Sequence, residues 1–260
     1  MSEAILLRDH ENGVETLTLN RPQQRNALSV NLMAELQAAL DEIRDTAHIK
    51  VVVLAANGPA FCAGHDLREV QENTGSREFF SALFSQCARM MSSIVRLPQP
   101  VIAQVHGMAT AAGCQLVASC DLAVAAKSAK FATPGVNIGL FCSTPMVALS
   151  RNVPRKMAMD MLLTGEPISA EQAQIHGLVS RVSSDDTLTS TVNALAQGIA
   201  ARSPLTLKIG KEAFYKQAEM TLDAAYQFTA EVMTNNMLAH DAEEGVDAFI
   251  NKRQPVWRGE

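Results

Sequence analysis

The sequence predicts an α/β fold that gives way to a helical C-terminal region. Three observations predict it. β-branched runs at 50–55 and 101–105 read as strands buried on both faces, as in a parallel sheet. Stretches with apolar residues at helical spacing separate those runs, which is the pattern of βαβ units with right-handed crossovers. From about Thr144 onward, helix signals dominate. The expected division is a core over residues 1–200 and a helical region over 201–260, with no repeat or low-complexity linker between them.

Residues 5–8 and 14–19 read as strands around the turn Glu11-Asn12-Gly13. Ser29 suits an N-cap, and Leu32, Met33, Leu36, Leu40 and Ile43 follow at helical spacing. After the strand at 50–55, a loop through Gly64 leads into a helix, and a longer helix covers 77–96 until Pro98 and Pro100 stop it. The strand at 101–105 is followed by Gly107 and a helix over 113–119; residues 122–125 and 130–132 are short strands. Pro154 starts a helix, Ser169-Ala170-Glu171 caps another, and 178–182 reads as a short strand. Helices are expected over 186–202, 204–216, 222–238 and 244–252.

With 260 residues and 47% hydrophobic content, the chain can bury a full core. A net charge of −5 without a basic block argues against nucleic acid as a partner. The five cysteines are an odd set without paired metal-ligand spacing, so a reduced intracellular protein with no metal centre is expected. The N-terminus reaches its first strand without a basic segment and apolar stretch, and no apolar span has membrane length. These features predict a cytoplasmic protein with no membrane partner.

Two segments carry most of the chemistry: Phe61-Cys62-Ala63-Gly64-His65-Asp66-Leu67 and Gly107-Met108-Ala109-Thr110-Ala111-Ala112-Gly113-Cys114-Gln115. Each is a run of small residues between a strand and a helix, a turn that can aim backbone N–H groups at an oxygen. Singly, each is equally a close helix–strand contact.

Those segments, with Asn20-Arg21-Pro22, Asn26-Ala27-Leu28, Cys120-Asp121, Phe131-Ala132-Thr133-Pro134, Thr164-Gly165-Glu166-Pro167 and Gly177-Leu178-Val179, resemble the crotonase (enoyl-CoA hydratase/isomerase) superfamily in order and nearly end to end. Residues 111–121, 131–136 and 139–145 are most similar to its enoyl-CoA hydratase domain-containing protein 3 group. The resemblance implies a ClpP/crotonase-like spiral of ββα units with two sheets and a helical C-terminal trimerisation region. It also implies a homotrimer or homohexamer and an acyl-CoA ligand, with CoA as part of the substrate and no separate cofactor. By position, the backbone N–H groups of His65 and Ala112 are the oxyanion donors. Ala112 stands where glycine is usual, a change that costs little if its φ is negative. Ala27, Ala63, Asp66 and Leu67 fall at the substrate, with Arg25 and Arg68 as candidate phosphate partners. Phe249 and Lys252 match a pattern by which a neighbouring subunit helps hold the nucleotide.

The resemblance also exposes an absence. Hydration needs water deprotonated and the α-carbon protonated, work that two carboxylates typically share in this family. Their positions are Gln115, which exchanges no proton near neutral pH, and Gly135, which has no side chain. Restoring both as glutamate is expected to raise hydration on an otherwise intact scaffold. Cys142, Ser143 and Thr144 border the acyl end in relatives and read either as acyl-pocket residues or as packing and capping before Pro145. His65 reads either as a shape residue or as a catalyst, Asp66 as a turn-fixing acceptor, and His106, Cys114 and Cys120 as structural. Three functions stand: an acyl-CoA binder with weak or absent hydratase activity, a working lyase or isomerase using other pocket residues, and a non-catalytic oligomeric regulator.

Overall fold

Asn12 and Gly13 sit at φ 51° and 80°, the left-handed pair that a type I′ turn requires. They close β1 (Leu6–Glu11) onto β2 (Val14–Leu19) as an antiparallel hairpin. The computed structural model describes residues 4–260. α1 (Val30–Arg44) starts where expected, with the Leu32 N–H donating to Ser29 Oγ at 3.1 Å, and buries Leu32, Leu36, Leu40 and Ile43.

β3 (Val51–Ala56), β5 (Val101–Val105) and β7 (Leu122–Ala126) lie side by side in a six-stranded sheet of order β1-β2-β3-β5-β7-β10, with β10 (Arg181–Ser183) at its edge. All neighbours after the first hairpin are parallel. Each of these three strands is followed at once by a short strand of a second sheet: β4 (Ala60–Cys62), β6 (Met108–Thr110) and β8 (Lys130–Ala132). β9 (Ile168–Ser169) pairs antiparallel with β8. The chain thus lays one strand in each sheet before it turns away into helix, first α2 (Leu67–Glu72) and α3 (Arg77–Arg96), then α4 (Ala112–Ser119). This repeat is the spiral of ββα units that the resemblance implies. Phe61 and Phe131, both fully buried, fill its core.

α5 (Pro145–Asn152), α6 (Arg155–Thr164) and α7 (Ala170–Ile175) follow, α7 with a full capping box between Ser169 and Gln172. α8 (Leu188–Ala200) covers the outer face of the large sheet, packing Val192 and Ala196 against Val53, Ile102 and Val124. α9 (Pro204–Gln217), α10 (Leu222–Met237) and α11 (His240–Ile250) form the C-terminal region. One buried tie holds α9 to the core. The Lys211 ammonium donates to the carbonyls of Ile94 and Gln99 at 3.1 and 3.0 Å and to Asp121 at 2.6 Å, and the Tyr215 hydroxyl donates to the other Asp121 oxygen at 2.9 Å. Burial pulls the Lys211 pKa down while Asp121 opposes the fall. Among the described residues no helix is long and apolar enough to cross a membrane.

Three element boundaries differ from expectation by three residues or more. The first strand, expected over 5–8, extends from Leu6 to Glu11. The strand expected over 178–182 is paired only from Arg181, because the Leu178 and Val179 amides turn back to the Ala173 carbonyl to close α7. The helix expected over 244–252 runs instead from His240 to Ile250, and Lys252 lies beyond it at φ 54°. Of the second sheet only β8, expected over 130–132, was read from the residues; β4, β6 and β9 are too short to show alternation.

Replacing Lys211 with methionine leaves the Asp121 carboxylate in place without its cation. Lys211→Met is therefore expected to lower stability by about 3 kcal/mol, measured by urea unfolding.

Candidate functional site

Two loops meet at the head of α4. The first leaves β4, turns at Gly64 with φ +88°, and enters α2. It is tied down on all sides: Leu28 N–H donates to the Gly64 carbonyl at 2.7 Å, Ala63 N–H to Arg25 at 3.0 Å, and Asp66 N–H to Leu28 at 3.3 Å. Asp66 caps α2 by accepting the Arg68 N–H at 3.1 Å, and its second oxygen pairs with Arg21 at 2.9 Å. Arg21 also donates to the Ala27 carbonyl, which stitches the Asn20-Arg21-Pro22 motif to this loop. Burial pushes the Asp66 carboxyl up, but Arg21 and the α2 N–H groups together hold it below its usual range.

The second loop joins β6 to α4 through Ala111, which adopts φ 50° and ψ −117°. That conformation is strained for a residue with a Cβ. It is enforced from both sides, because Ala111 N–H donates to Ala132 at 2.9 Å and its carbonyl accepts from Gln115 at 3.0 Å. Ala112 is then the first residue of α4, is buried, and is not among the residues with positive φ, so alanine replaces glycine there without backbone cost.

The loops are in close contact. A Cβ on Gly64 would stand 3.4 Å from the Ala112 nitrogen, and one on Gly113 would stand 2.2 Å from the Cys62 carbonyl oxygen. Neither the His65 N–H nor the Ala112 N–H has a hydrogen-bond partner among the described residues. Two unpaired donors therefore stand on abutting loops, beside the positive end of the α4 dipole.

The two positions where the resemblance implies carboxylates differ. Gln115 is 5% exposed on the face of α4 that carries Ala112 one turn earlier, and its Oε1 has no partner. Gly135 lies in a 3-10 turn over Pro134–Ile138, where a Cβ would meet the Leu140 carbonyl oxygen at 2.7 Å and the Cys142 sulfur at 2.9 Å. Backbone and thiol fill the space that a side chain at 135 would need. A glutamate at 135 therefore requires this turn to shift, whereas one at 115 needs only a change of atom type on the same helix face.

The three candidate acyl-pocket residues separate. Cys142 is buried against Gly135, and burial pushes its thiol pKa up while the Gly135 N–H pulls it down. Ser143 is exposed and donates back to Phe141. Thr144 precedes α5 without a side-chain cap and lines a cavity of about 1360 Å³ that reaches Gln115. Cys62 and Cys114 are buried beneath the loops, with thiol pKa values pushed up to about 12 by burial.

The imidazole of His65 lies edge-on to Phe84, with ring centroids 5.6 Å apart, and neither ring nitrogen has a partner. Burial holds its pKa below the ordinary value, so it is neutral at pH 7. His106 bonds to the Gly58 carbonyl at 2.8 Å, in keeping with a structural role. Arg25, Ala63, Leu67 and Arg68 are exposed around the first loop, and Ala27 is buried beneath it. Phe249 and Lys252 stand exposed at the helical end, where α11 packs on α9 and α10, and are not gathered to the loops by this chain. Sequence reasoning missed the strain at Ala111 and the tie of Asp121 to Lys211 and Tyr215. The Cys120-Asp121 motif was the one signal for the latter.

The Enoyl-CoA hydratase/isomerase family model matches residues 9–260. The chain is 49% identical over 247 residues to enoyl-CoA hydratase domain-containing protein 3, mitochondrial, of Xenopus laevis, covering 95% of this chain and 84% of that one. Its fold is similar to the crystal structure of an enoyl-CoA hydratase of Mycobacterium smegmatis, with 51% identity, TM-score 0.96, and coverage of 98% and 99%. It is likewise similar to human enoyl-CoA hydratase domain-containing protein 3, with 46% identity, TM-score 0.95, and coverage of 98% and 100%. The subgroup resemblance read from the sequence stands. The cytoplasmic placement does not: the frog, human and rat relatives are each named as mitochondrial.

Ala111→Gly is expected to raise stability by roughly 1 kcal/mol, since relief of the strained φ outweighs the added chain entropy. Gly135→Ala is expected to lower it by about 1–3 kcal/mol; urea unfolding reads both. Acidification gives a third outcome. His65 has its pKa depressed in the folded chain, so the unfolded chain takes up the proton first. Its contribution to stability is therefore lost as pH falls below about 6.5, and His65→Gln should show a shallower decline over that range.

Proposed function

The chain belongs to the enoyl-CoA hydratase/isomerase family, and on that premise we propose that it binds an acyl-CoA thioester without efficient hydratase turnover. The thioester oxygen sits between the His65 and Ala112 N–H groups. Each donor of this kind is worth roughly 2.7–4 kcal/mol once charge develops on the oxygen. Ala27, Ala63, Asp66 and Leu67 shape the entry, and Arg25 and Arg68 face the CoA phosphates. The same donors serve binding and polarisation alike, so both survive the loss of proton-transfer groups.

One observation carries the reading on activity. The place for a side chain at 135 is filled by the Leu140 carbonyl and the Cys142 sulfur, and the other acid–base position holds an amide. The carboxylates lining the neighbouring cavity do not replace them. Asp121 is engaged by Lys211 and Tyr215, Glu212 by Lys216 and Glu219 by Arg151, while Asp45 follows the far end of α1.

A second reading has its own support. The His65 imidazole lies against Phe84 beside the first loop, and burial holds its pKa below the ordinary value, so it is the base through which a lyase or isomerase reaction would run. The assembly we propose is a homotrimer or homohexamer built on the C-terminal helices. Leu222, Tyr226, Met233, Leu238, Phe249 and Ile250 are each more than half exposed there, an apolar surface that a second copy would cover. In that assembly Phe249 and Lys252 reach the nucleotide of a neighbour.

Acyl-CoA at about 100 times its dissociation constant is expected to stabilise the protein by roughly 2.7 kcal/mol, read by thermal melting; no shift with any acyl chain removes the binding proposal. Crotonyl-CoA should keep its enoyl-thioester absorbance over many minutes with catalytic amounts of protein. Turnover at ordinary enzyme rates would overturn the reading of Gln115 and Gly135. If that turnover vanished in His65→Gln, the second reading would stand in its place.

A further inference from the structure

Four helices and the end of α1 line a partly open cavity of about 1360 Å³ that includes Gln115. α3 contributes Ala88, Met91, Val95 and Arg96, a stripe at helical spacing. Phe84, one turn earlier on the same face, is the ring that lies against His65. α4 contributes Gln115 and Ala118, one and two turns beyond the Ala112 N–H. α5 adds Thr144, Val147 and Ala148, and α9 closes the space from outside. The stripes of α3 and α4 both start near the paired loops and run away from them, and Gln115, one turn from Ala112, lines the near end of the cavity. Its middle is apolar, lined by Met91, Val95, Ala118 and Val147.

The far end is cationic. Six basic and four acidic side chains line the cavity, in a chain whose net charge is −5. Three of the bases are paired: Lys211 with Asp121, Lys216 with Glu212 and Arg151 with Glu219. Arg44, Arg96 and Lys208 have no ion pair or side-chain hydrogen bond among the described residues. Arg44 and Arg96 end α1 and α3, which run in the same direction: Gln37 bonds to Ser93, and Gln99 to the Ile43 carbonyl. Both guanidinium groups therefore reach the same rim, where Lys208 of α9 also stands. The unpaired acid beside them is Asp45. Along α3 the rise from Ala88 to Arg96 is about 12 Å, which an extended chain of medium length spans.

We propose that the acyl group carried by this site is a medium-length chain ending in a carboxylate, with its methylenes along the α3–α4–α5 cavity and its terminal anion at Arg44, Arg96 and Lys208. The proposal rests on the acyl-thioester reading and adds the substrate class. A plain alkyl chain fills the apolar middle equally well but leaves the three cations unused. The charged end also explains why a binding site for a fatty chain opens onto guanidinium groups rather than onto apolar side chains.

The test is a titration of the full-length protein with four probes at low ionic strength: octanoyl-CoA, decanoyl-CoA, and the mono-CoA thioesters of octanedioic and decanedioic acid. Free CoA is the fifth probe. At least one dicarboxylic thioester is expected to bind about fivefold to tenfold more tightly than its alkyl counterpart, the sum of a few partly exposed charge contacts. The preference should shrink as salt rises and disappear in Arg96→Gln and in Lys208→Gln. Equal or weaker binding of both dicarboxylic thioesters overturns the proposal while leaving the thioester site intact. An equal loss of free CoA binding in Arg96→Gln also overturns it, because the cations would then serve the CoA phosphates. If no CoA compound binds at all, the thioester reading itself falls, and this inference with it.

Discussion

Gly113 lies so close to β4 that a methyl group there would stand 2.2 Å from the Cys62 carbonyl oxygen. The rest of the site depends on that approach. It presses the first turn of α4 onto the loop that leaves β4, and so fixes the distance between the Ala112 and His65 amides. Helix packing alone does not set such a distance, since helices usually meet through side chains at 8–10 Å between axes. Here backbone meets backbone, and the loop conformations follow. Gly64 takes a left-handed turn to pass under Ala111, and Ala111 is driven to φ 50° to start the helix in the remaining space. The two unpaired N–H groups result from this compression, because neither loop has room to fold back and satisfy them.

A site built this way separates polarisation from proton transfer. The amides belong to the backbone and persist through almost any change of side chain, whereas acid–base groups are side chains and can be lost singly. Position 115 keeps the length and shape of a carboxylate side chain without its titration. At position 135 the loop from Ile138 to Cys142 has closed over the glycine, with Leu140 N–H donating to its carbonyl at 2.9 Å. The two positions are therefore unequal: one carries an amide on a helix face, and at the other a backbone carbonyl and a thiol occupy the space of a side chain.

Much of the spiral was legible in the sequence because its long elements carry strong periodic signals. α3 and β5 have the bounds that the pattern gave, and Ser29, Ser169 and Asp66 cap where their chemistry suggested. Of the second sheet only β8 was legible, since strands of three residues or fewer have little period to read. At the site, the identity of the two loops was legible and their strain was not. Ala111-Ala112 in sequence gives no sign that Ala111 bears a positive φ, and attention fell on Ala112, where a negative φ makes alanine cheap. Nor could residue 135 be known as enclosed, because the group that encloses it is a carbonyl five residues away, and carbonyls are common to every residue. The cavity escaped for a similar reason: its walls come from five elements between Arg44 and Glu219, and no local pattern joins them.

The buried contact of Asp121 with Lys211 and Tyr215 connects these points. Burying an ion pair is seldom a gain in stability by itself, because desolvation offsets the attraction. Its value here is positional. Lys211 reaches across to two carbonyls at the C-terminal end of α3 as well as to Asp121, so three acceptors from separate segments fix one point of α9 against the core. An apolar contact would hold α9 with less directional preference and would tend to draw it inward, since burial favours closing the space. The charged tie instead holds the helix at the cavity's floor while Val147 and Ala148 remain across an open gap. A polar interaction thereby holds α9 across the cavity, and the depth of that cavity follows from the geometry of one ammonium group.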